Sequence, residues 1–294
     1  MWKIFFKGAL RNIRKNRIFT IINISGLTIG IASTILIILF IADELSFDRF
    51  HEKSGQIYRL YIDIFIADQS YRGAWTSMVM APTFAREIPE IQNFVRFDIW
   101  NQQLIWHGRE KYVEDNFMFA DSSIFDIFTF DFIMGDPPKA LTEPRSVVIT
   151  REKANLYFGD RNPLGLTLTI NNDNNYYVVT GVVESLPENS HFFSDFIASM
   201  VTLDDSNWGI WFQNSVISYV LLQEGADYKN VEQKMRQVLL KHITPQLESI
   251  LGVSPEEWSG GGNRYDVYLQ PLTDIHLNPD IEVGVEICFR PVHD

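Results

Sequence analysis

The chain has 294 residues, a formal net charge of −12, and 46% hydrophobic and 14% aromatic residues, which favours a folded protein over a disordered one. Its single cysteine, Cys288, excludes an internal disulfide bond and a cysteine zinc site. A large exported domain without disulfides is typical of a bacterial envelope protein.

Residues 1–17 are predicted to form a basic helix, cytoplasmic or lying in the membrane interface. Apolar residues recur at helical spacing opposite the bases, from Trp2 to Ile13. A simple basic flank with incidental apolar residues is the alternative, and both remain open. No acidic residue occurs among the bases of this segment. The bases are Lys3, Lys7, Arg11, Arg14, Lys15 and Arg17.

Residues 18–42 are predicted to form a transmembrane helix, because 25 uncharged residues cross a hydrocarbon core about 30 Å thick. The basic flank places the N-terminus in the cytoplasm and the main domain in the periplasm. A cleaved signal peptide is the alternative, but its apolar core has about 7–15 residues. Phe40 also stands where a small residue is expected before a cut after Ala42. We therefore expect an uncleaved single-pass anchor in the bacterial inner membrane.

Small and polar residues share one face of this helix. Asn23, Gly26, Gly30 and Ser33 recur at steps of three and four, and Gly26 and Gly30 form G-x-x-x-G. This pattern permits close helix approach, and an unpaired Asn in lipid is costly. The alternative is that glycine is common in membrane helices. We expect a packing face for a homodimer partner or other membrane helices.

The part that follows the span is acidic. The first 17 residues carry +6, so the chain from Asp43 onward carries −18. Such a body repels phosphate, so nucleic acid is not an expected partner. Its first elements are a strand over 56–66, a helix from about Ala81 to just before Pro89, and one or two strands over 94–106.

The middle of the chain is predicted to be richer in strands. Asp121 is the expected cap of a short helix over 122–128, and Thr150 of a helix that ends at Phe158 before Gly159. The remaining elements are a strand over 146–149 and a hairpin of strands 166–170 and 176–183.

The last third returns to the β-α-β order. A strand over 216–222 precedes a helix over 228–243 that Pro245 is expected to end, and 265–269 is a closing strand. Residues 259–262 are expected to form a flexible loop. The fold class is therefore α+β, with two β-α-β units around a β-rich insert.

Motifs for catalysis are absent from the sequence. It contains neither G-x-x-x-x-G-K-[ST] nor H-E-x-x-H, and its six histidines show no ligand spacing. Nothing local pairs His191 or His276 with an acid, so each histidine is expected on the surface or in the core. We expect no enzyme, no cofactor and no metal site.

The sequence resembles the N-terminal part of a MacB/FtsX-type ABC transporter permease over residues 1–277. Turn residues make each match weak alone, but their order and spacing are specific. The matching segments are Asn12–Arg17, Ile24–Gly30, Asp43–His51, Gly135–Pro137, Tyr157–Asp160, Asn162–Gly165 and Pro187–His191.

The resemblance implies a periplasmic domain in two parts. Residues 43–105 and 178–280 would form a porter-like subdomain, interrupted by a β-rich subdomain over 106–177 and followed by a tail over 281–294. It also implies a non-catalytic dimeric permease that pairs with a separate ATP-binding subunit and acts on an exported substrate or envelope protein.

Family members continue into three more membrane helices and a cytoplasmic loop that contacts the ATPase. Residues 284–294 contain no such span. The chain is therefore expected to be a truncated or split permease, or a tethered module without its own coupling loop. The leading hypothesis is a permease subunit, and the alternative is a membrane-anchored periplasmic interaction or sensor module.

Overall fold

The computed structural model describes residues 2, 6, 7, 11, 15–66, 68–108, 110–171, 175–203, 209–278, 280 and 281. The chain divides into two compact units, Met1–Ser46 and Phe47–Asp294. The first contains a long apolar helix and the second a large sheet with helices packed on it. This confirms the mixed helix and sheet class expected from the sequence.

Helix α1 spans Arg17–Glu44 and is the structure's version of the expected span over 18–42. Its 28 residues rise about 42 Å at 1.5 Å each, enough to cross a hydrocarbon core with tilt. None of its side chains is buried. Within the described part of the chain, it is the one helix that is long and apolar enough to cross a membrane.

The second unit contains fourteen strands and five helices among its described residues. The strands are β1 Ile57–Ile66, β2 Gln69–Gly73, β3 Trp75–Ser77, β4 Ile91–Trp100, β5 Gln103–His107, β6 Glu110–Glu114, β7 Phe117–Ala120, β8 Phe132–Gly135, β9 Ser146–Thr150, β10 Thr167–Ile170, β11 Tyr176–Val183, β12 Phe196–Ser199, β13 Asn214–Leu222 and β14 Arg264–Pro271. The helices are α2 Met80–Glu87, α3 Ile124–Ile127, α4 Arg151–Phe158, α5 Tyr228–Gln246 and α6 Pro255–Gly260.

All of these strands join one sheet. Along its main path the order is β14-β1-β13-β4-β7-β12-β9-β11-β10-β5-β6, with β2 beside β1, β3 beside β13 and β8 beside β11. The pairs β9–β11 and β7–β12 are parallel, and the other pairs are antiparallel. Strand β13 therefore lies between the first and fourth strands of the chain, which places it centrally for long-range contacts.

Three apolar cores hold the helices to the sheet. Helices α2 and α5 pack on β1, β4, β13 and β14 through residues such as Phe84 and Leu239. A second core, rich in phenylalanine, contains Phe97 and Phe128 and receives Tyr219 from β13. Helix α4 packs on the far part of the sheet in a third core. The second core surrounds the site described below.

Several local predictions are confirmed. Thr150 caps α4 by accepting a hydrogen bond from the backbone N–H of Lys153, and Gly159 follows the helix with φ +60°. Strands β10 and β11 pair as the expected antiparallel hairpin. The subdomain boundaries at 105/106 and 177/178 remain predictions.

The prediction that Pro245 ends its helix was wrong. Helix α5 continues to Gln246, and Pro245 lies inside it. Ile243 and Leu247 on either side are buried, and the Gln246 side chain accepts a hydrogen bond from the backbone N–H of Trp211 at 2.9 Å. A wider helical turn over Leu247–Leu251 follows, so packing outweighs the one hydrogen bond that proline removes.

The predicted cap Asp121 has a different role. Its carboxylate accepts hydrogen bonds from the Arg96 guanidinium at 2.7 and 2.9 Å and from the Arg96 backbone N–H at 2.8 Å. Ser123 precedes the short helix α3 instead, without a side-chain cap. A charge-assisted bidentate pair is stronger than a capping bond, which explains the change of partner.

The loop predicted over 259–262 is partly helical. Helix α6 ends at Gly260. Ser254 and Glu257 form a capping box, because Ser254 Oγ accepts from the backbone N–H of Glu257 and Glu257 Oε2 accepts from that of Ser254. This S-x-x-E signal at the helix start was overlooked because the glycines at its end dominate the local sequence.

Candidate functional site

The segment Phe47–His51, which follows α1 after two residues, is fastened to the sheet body. Asp48 is fully buried in a left-handed conformation with φ 58°. Its backbone N–H donates to Asn189 O at 2.8 Å, and its Oδ1 accepts from the backbone N–H and the Nδ1 of His191 at 3.1 and 2.8 Å. The Phe47 ring stacks on His276 with 3.4 Å between centroids. Three sequence segments that lie far apart along the chain therefore meet here.

A chain of buried polar side chains continues from this contact into the sheet. His191 Nε2 lies 2.7 Å from Tyr219 Oη on β13, and the charge of Arg59 on β1 interacts with Tyr219. Arg59 also donates to Gln270 Oε1 on β14, at 2.6 and 3.1 Å. We call Asp48, His191, Tyr219 and Arg59 the relay.

The chemistry of the donors fixes the direction of the relay. An ionised carboxylate can only accept, so Asp48 Oδ1 accepts a hydrogen bond from His191 Nδ1. With its proton on Nδ1, the His191 ring leaves Nε2 to accept the hydroxyl proton of Tyr219. The relay contains the buried guanidinium of Arg59 and the buried carboxylate of Asp48 together with Tyr219 and His191.

Burial dominates the electrostatics of the relay. It lowers the pKa of Arg59, which Tyr219 and Asp48 oppose, and it raises the pKa of Tyr219. Two buried ions are tolerated only when each is paired and hydrogen-bonded. Removing one partner therefore leaves an uncompensated charge in the core.

A further set of contacts holds the end of the segment. His51 is buried, and its Nδ1 accepts the backbone N–H of Thr129 at 3.0 Å. Thr129 Oγ1 accepts from the backbone N–H of Glu52 at 3.0 Å, and Lys53 Nζ donates to Asp126 O at 2.5 Å. Burial lowers the pKa of His51 to about 4, so the ring is neutral at pH 7.

The predicted packing face lies in the other unit, on α1. Asn23, Gly26, Gly30 and Ser33 are all exposed, and a Cβ built on either glycine would meet nothing within 4 Å. Thr34, which the sequence reasoning missed, extends this face and donates its hydroxyl to Gly30 O at 2.8 Å. A shallow groove along the helix is lined by Gly26, Leu27, Gly30, Ile31, Thr34 and Ile35.

The basic flank is only partly within the described residues. Its exposed members there are Lys7, Arg11, Lys15 and Arg17. Lys3 and Arg14 lie outside them, as do Cys288 and His293. Their roles in setting topology remain predictions.

Sequence reasoning did not find the relay. Asp43–His51 and Pro187–His191 were both recognised as matching segments, and they supply Asp48 and His191. Because 143 positions separate these two residues, no local pattern joins them. Among the described residues, no group of three or more His, Cys, Asp or Glu side chains could hold a metal ion. Every relay residue is buried, so the arrangement is suited to holding distant segments together.

Comparisons with known proteins agree with this architecture. The family described as MacB-like periplasmic core domain matches residues 20–238. A crystallised domain of a putative permease protein from Porphyromonas gingivalis is similar at a TM-score of 0.64 and 19% identity, covering 76% of this chain and 92% of that one. At this identity the likeness supports the fold alone.

Two further structures have lower scores. The periplasmic region of MacB from Actinobacillus actinomycetemcomitans gives a TM-score of 0.49 at 15% identity, covering 79% of this chain and 95% of that one. The extracellular domain of the noncanonic ABC-type transporter YknZ from Gram-positive bacteria gives 0.47 at 13%, covering 73% and 99%. No curated protein sequence matches the chain. Because the family match spans more than half of its residues, the chain belongs to the family of proteins with a MacB-like periplasmic core domain.

Proposed function

We propose that this chain is a non-catalytic permease subunit of an ABC-type transporter or mechanotransmission complex. Family membership and the apolar helix α1 support a membrane-anchored protein, and the family suggests a separate ATP-binding subunit. In this proposal α1 crosses the inner membrane with its basic flank in the cytoplasm, and the sheet body acts in the periplasm on an exported substrate or envelope protein.

The observation that carries the proposal is the anchoring of Asp48. It lies four residues after Glu44, the last residue of α1, and four residues span at most about 14 Å. If the end of α1 moves farther than these four residues can extend, either the sheet body must move with it or the relay contacts must break. Since the relay reaches β1, β13 and β14, a pull on Asp48 is distributed over three paired strands. This arrangement is suited to transmitting movement.

Capture from native membranes tests the permease role. The full chain, tagged and extracted in mild detergent from the cells that encode it, should retain an ATP-binding subunit in stoichiometric amount. Recovery of an envelope protein without any ATP-binding subunit would favour the alternative, a membrane-anchored interaction or sensor module. The acidic body also makes nucleic acid an unexpected partner in this capture.

We also propose that the face of Asn23, Gly26, Gly30 and Ser33 packs against α1 of a second copy. The exposed groove at the two glycines supports close helix approach. Replacing both glycines by isoleucine should weaken self-association in a membrane two-hybrid assay. The matched control replaces Ser25 and Ala32, on the opposite face, by isoleucine and should leave the signal intact. Equal signals from both variants would refute this packing face.

A further inference from the structure

His51 is held in an environment that accepts only its neutral form. The ring is 1% exposed and packs against Phe50, Phe128 and Phe192. Its Nδ1 accepts the backbone N–H of Thr129, so the ring proton is on Nε2. Among the described residues, no hydrogen-bond partner reaches Nε2.

The groups that face His51 only partly compensate a positive charge on it, because burial lowers its pKa more than Asp48 raises it. On its own segment, Asp48 attracts such a charge, but Asp48 Oδ1 is already occupied by His191. From the loop that ends at His191, the second imidazole opposes it. Asp48 is also the counter-charge that the relay provides for Arg59 on β1. On helix α3, which precedes Thr129, the carbonyl of Asp126 binds Lys53, which is itself a cation.

Protonation would therefore act on two contacts at once. A protonated Nδ1 cannot accept, so the hydrogen bond from the Thr129 backbone would be lost. The new charge would also compete with His191 for Asp48, whose Oδ2 has no hydrogen-bond partner among the described residues. Both changes loosen the same junction.

We propose that His51 is an acid-sensitive latch, whose protonation releases residues 47–53 from the loop around Thr129. This inference rests on the proposed function, in which residues 47–53 connect α1 to the sheet body. Acid would release that segment from the body. It requires no ligand, because the proton is the signal and the Thr129 contact is the element that responds.

The expected size of the effect follows from linkage. The folded ring has a pKa of about 4, and an opened ring would return to about 6.5. The open state then binds protons that the closed state does not, so acid favours opening. Between pH 7 and pH 5 the local opening equilibrium should rise about 20-fold.

Hydrogen exchange on the full chain in lipid nanodiscs tests the latch. After correction for intrinsic exchange rates, peptides covering 47–53 and 128–131 should lose protection by about 20-fold from pH 7 to pH 5. His51→Asn keeps an acceptor at the position of Nδ1 but does not titrate, so its protection should be independent of pH. His107→Asn, at a half-buried histidine on β5, is the matched control and should behave as the unmodified chain.

Equal loss of protection in His51→Asn and in the unmodified chain would overturn the proposal, as would unchanged protection in both. If His51→Asn does not fold, NMR titration of the unmodified chain decides. A His51 ring that titrates with a pKa between 6 and 7 while the Thr129 amide stays protected would also overturn it. Capture of the ATP-binding subunit at pH 7 is independent of this result, so failure of the latch leaves the proposed function standing.

Discussion

Replacing Tyr219 by phenylalanine removes one oxygen from the middle of the relay and leaves the ring in place. The side chain is fully buried, and its ring packs 5.0 Å from that of Phe97. Volume and aromatic contacts therefore change little. The variant isolates the contribution of the hydroxyl, which bonds to His191 and interacts with the charge of Arg59.

The cost follows from what is left unpaired. The variant takes the Tyr219 hydroxyl away from the buried Nε2 of His191, which costs about 1–3 kcal/mol. Arg59 keeps Gln270 as a partner, which limits the loss. We expect Tyr219→Phe to lower the free energy of unfolding by about 1–3 kcal/mol. Tyr268→Phe, on a half-buried tyrosine stacked on Tyr61, should change it by less than about 0.5 kcal/mol.

Urea unfolding of the full chain in detergent measures both variants. Six of the seven tryptophans follow residue 46, so their fluorescence reports on the sheet body. The midpoint should fall for Tyr219→Phe at an unchanged m-value, because the surface exposed on unfolding is the same. Equal midpoints for the two variants, or a loss below about 1 kcal/mol for Tyr219→Phe, would refute the idea that the relay stabilises the junction.

Three further predictions concern single contacts. Asp48→Asn should cost about 3–5 kcal/mol because it leaves Arg59 buried without its counter-charge, and adding Arg59→Met should recover most of this in thermal unfolding. Thr150→Ala should cost about 1 kcal/mol through the lost cap on Lys153 N–H, whereas Thr150→Ser should cost less. Hydrogen bonds from a lysine and a histidine of α5 lower the pKa of Glu87 to about 2. The stability that Glu87 contributes is therefore fully present above about pH 4.5 and is lost towards pH 2. Glu87→Gln should weaken that acid dependence in denaturation curves.

Local signals in the sequence were sufficient for the elements that they encode. The uncharged run of 25 residues predicted α1, whose observed bounds differ by one residue at its start and two at its end. Thr150 and Gly159 predicted both ends of α4. In each case the determining residues lie within the element or directly beside it, so hydrophobicity, capping and backbone preference operate without help from distant parts of the chain.

Elements that depend on distant partners were missed. Strands β7 and β12 have four residues each, all buried, and a run this short has no alternation to recognise. They are strands because they pair in parallel with each other, 79 positions apart along the chain. The role of Asp121 likewise could not be assigned from its sequence neighbours, because its partner Arg96 lies on the distant strand β4.

The polarity of the relay has a consequence that an apolar core would not give. A hydrophobic cluster of the same volume could stabilise the junction equally well, since a buried ion pair is weak evidence for stability. It could also accept the segment in more than one register. The relay is compatible with only one register of the segment. A shift of Asp48 by one residue turns its side chain away from His191 and leaves Arg59 buried without a counter-charge. The shifted register is less stable than the native one by about 3–5 kcal/mol, so the junction is either closed or open and has no stable intermediate position. Transmission of movement and release by acid both depend on this difference in free energy between the closed and the open junction. A junction that opened by small continuous steps would provide neither.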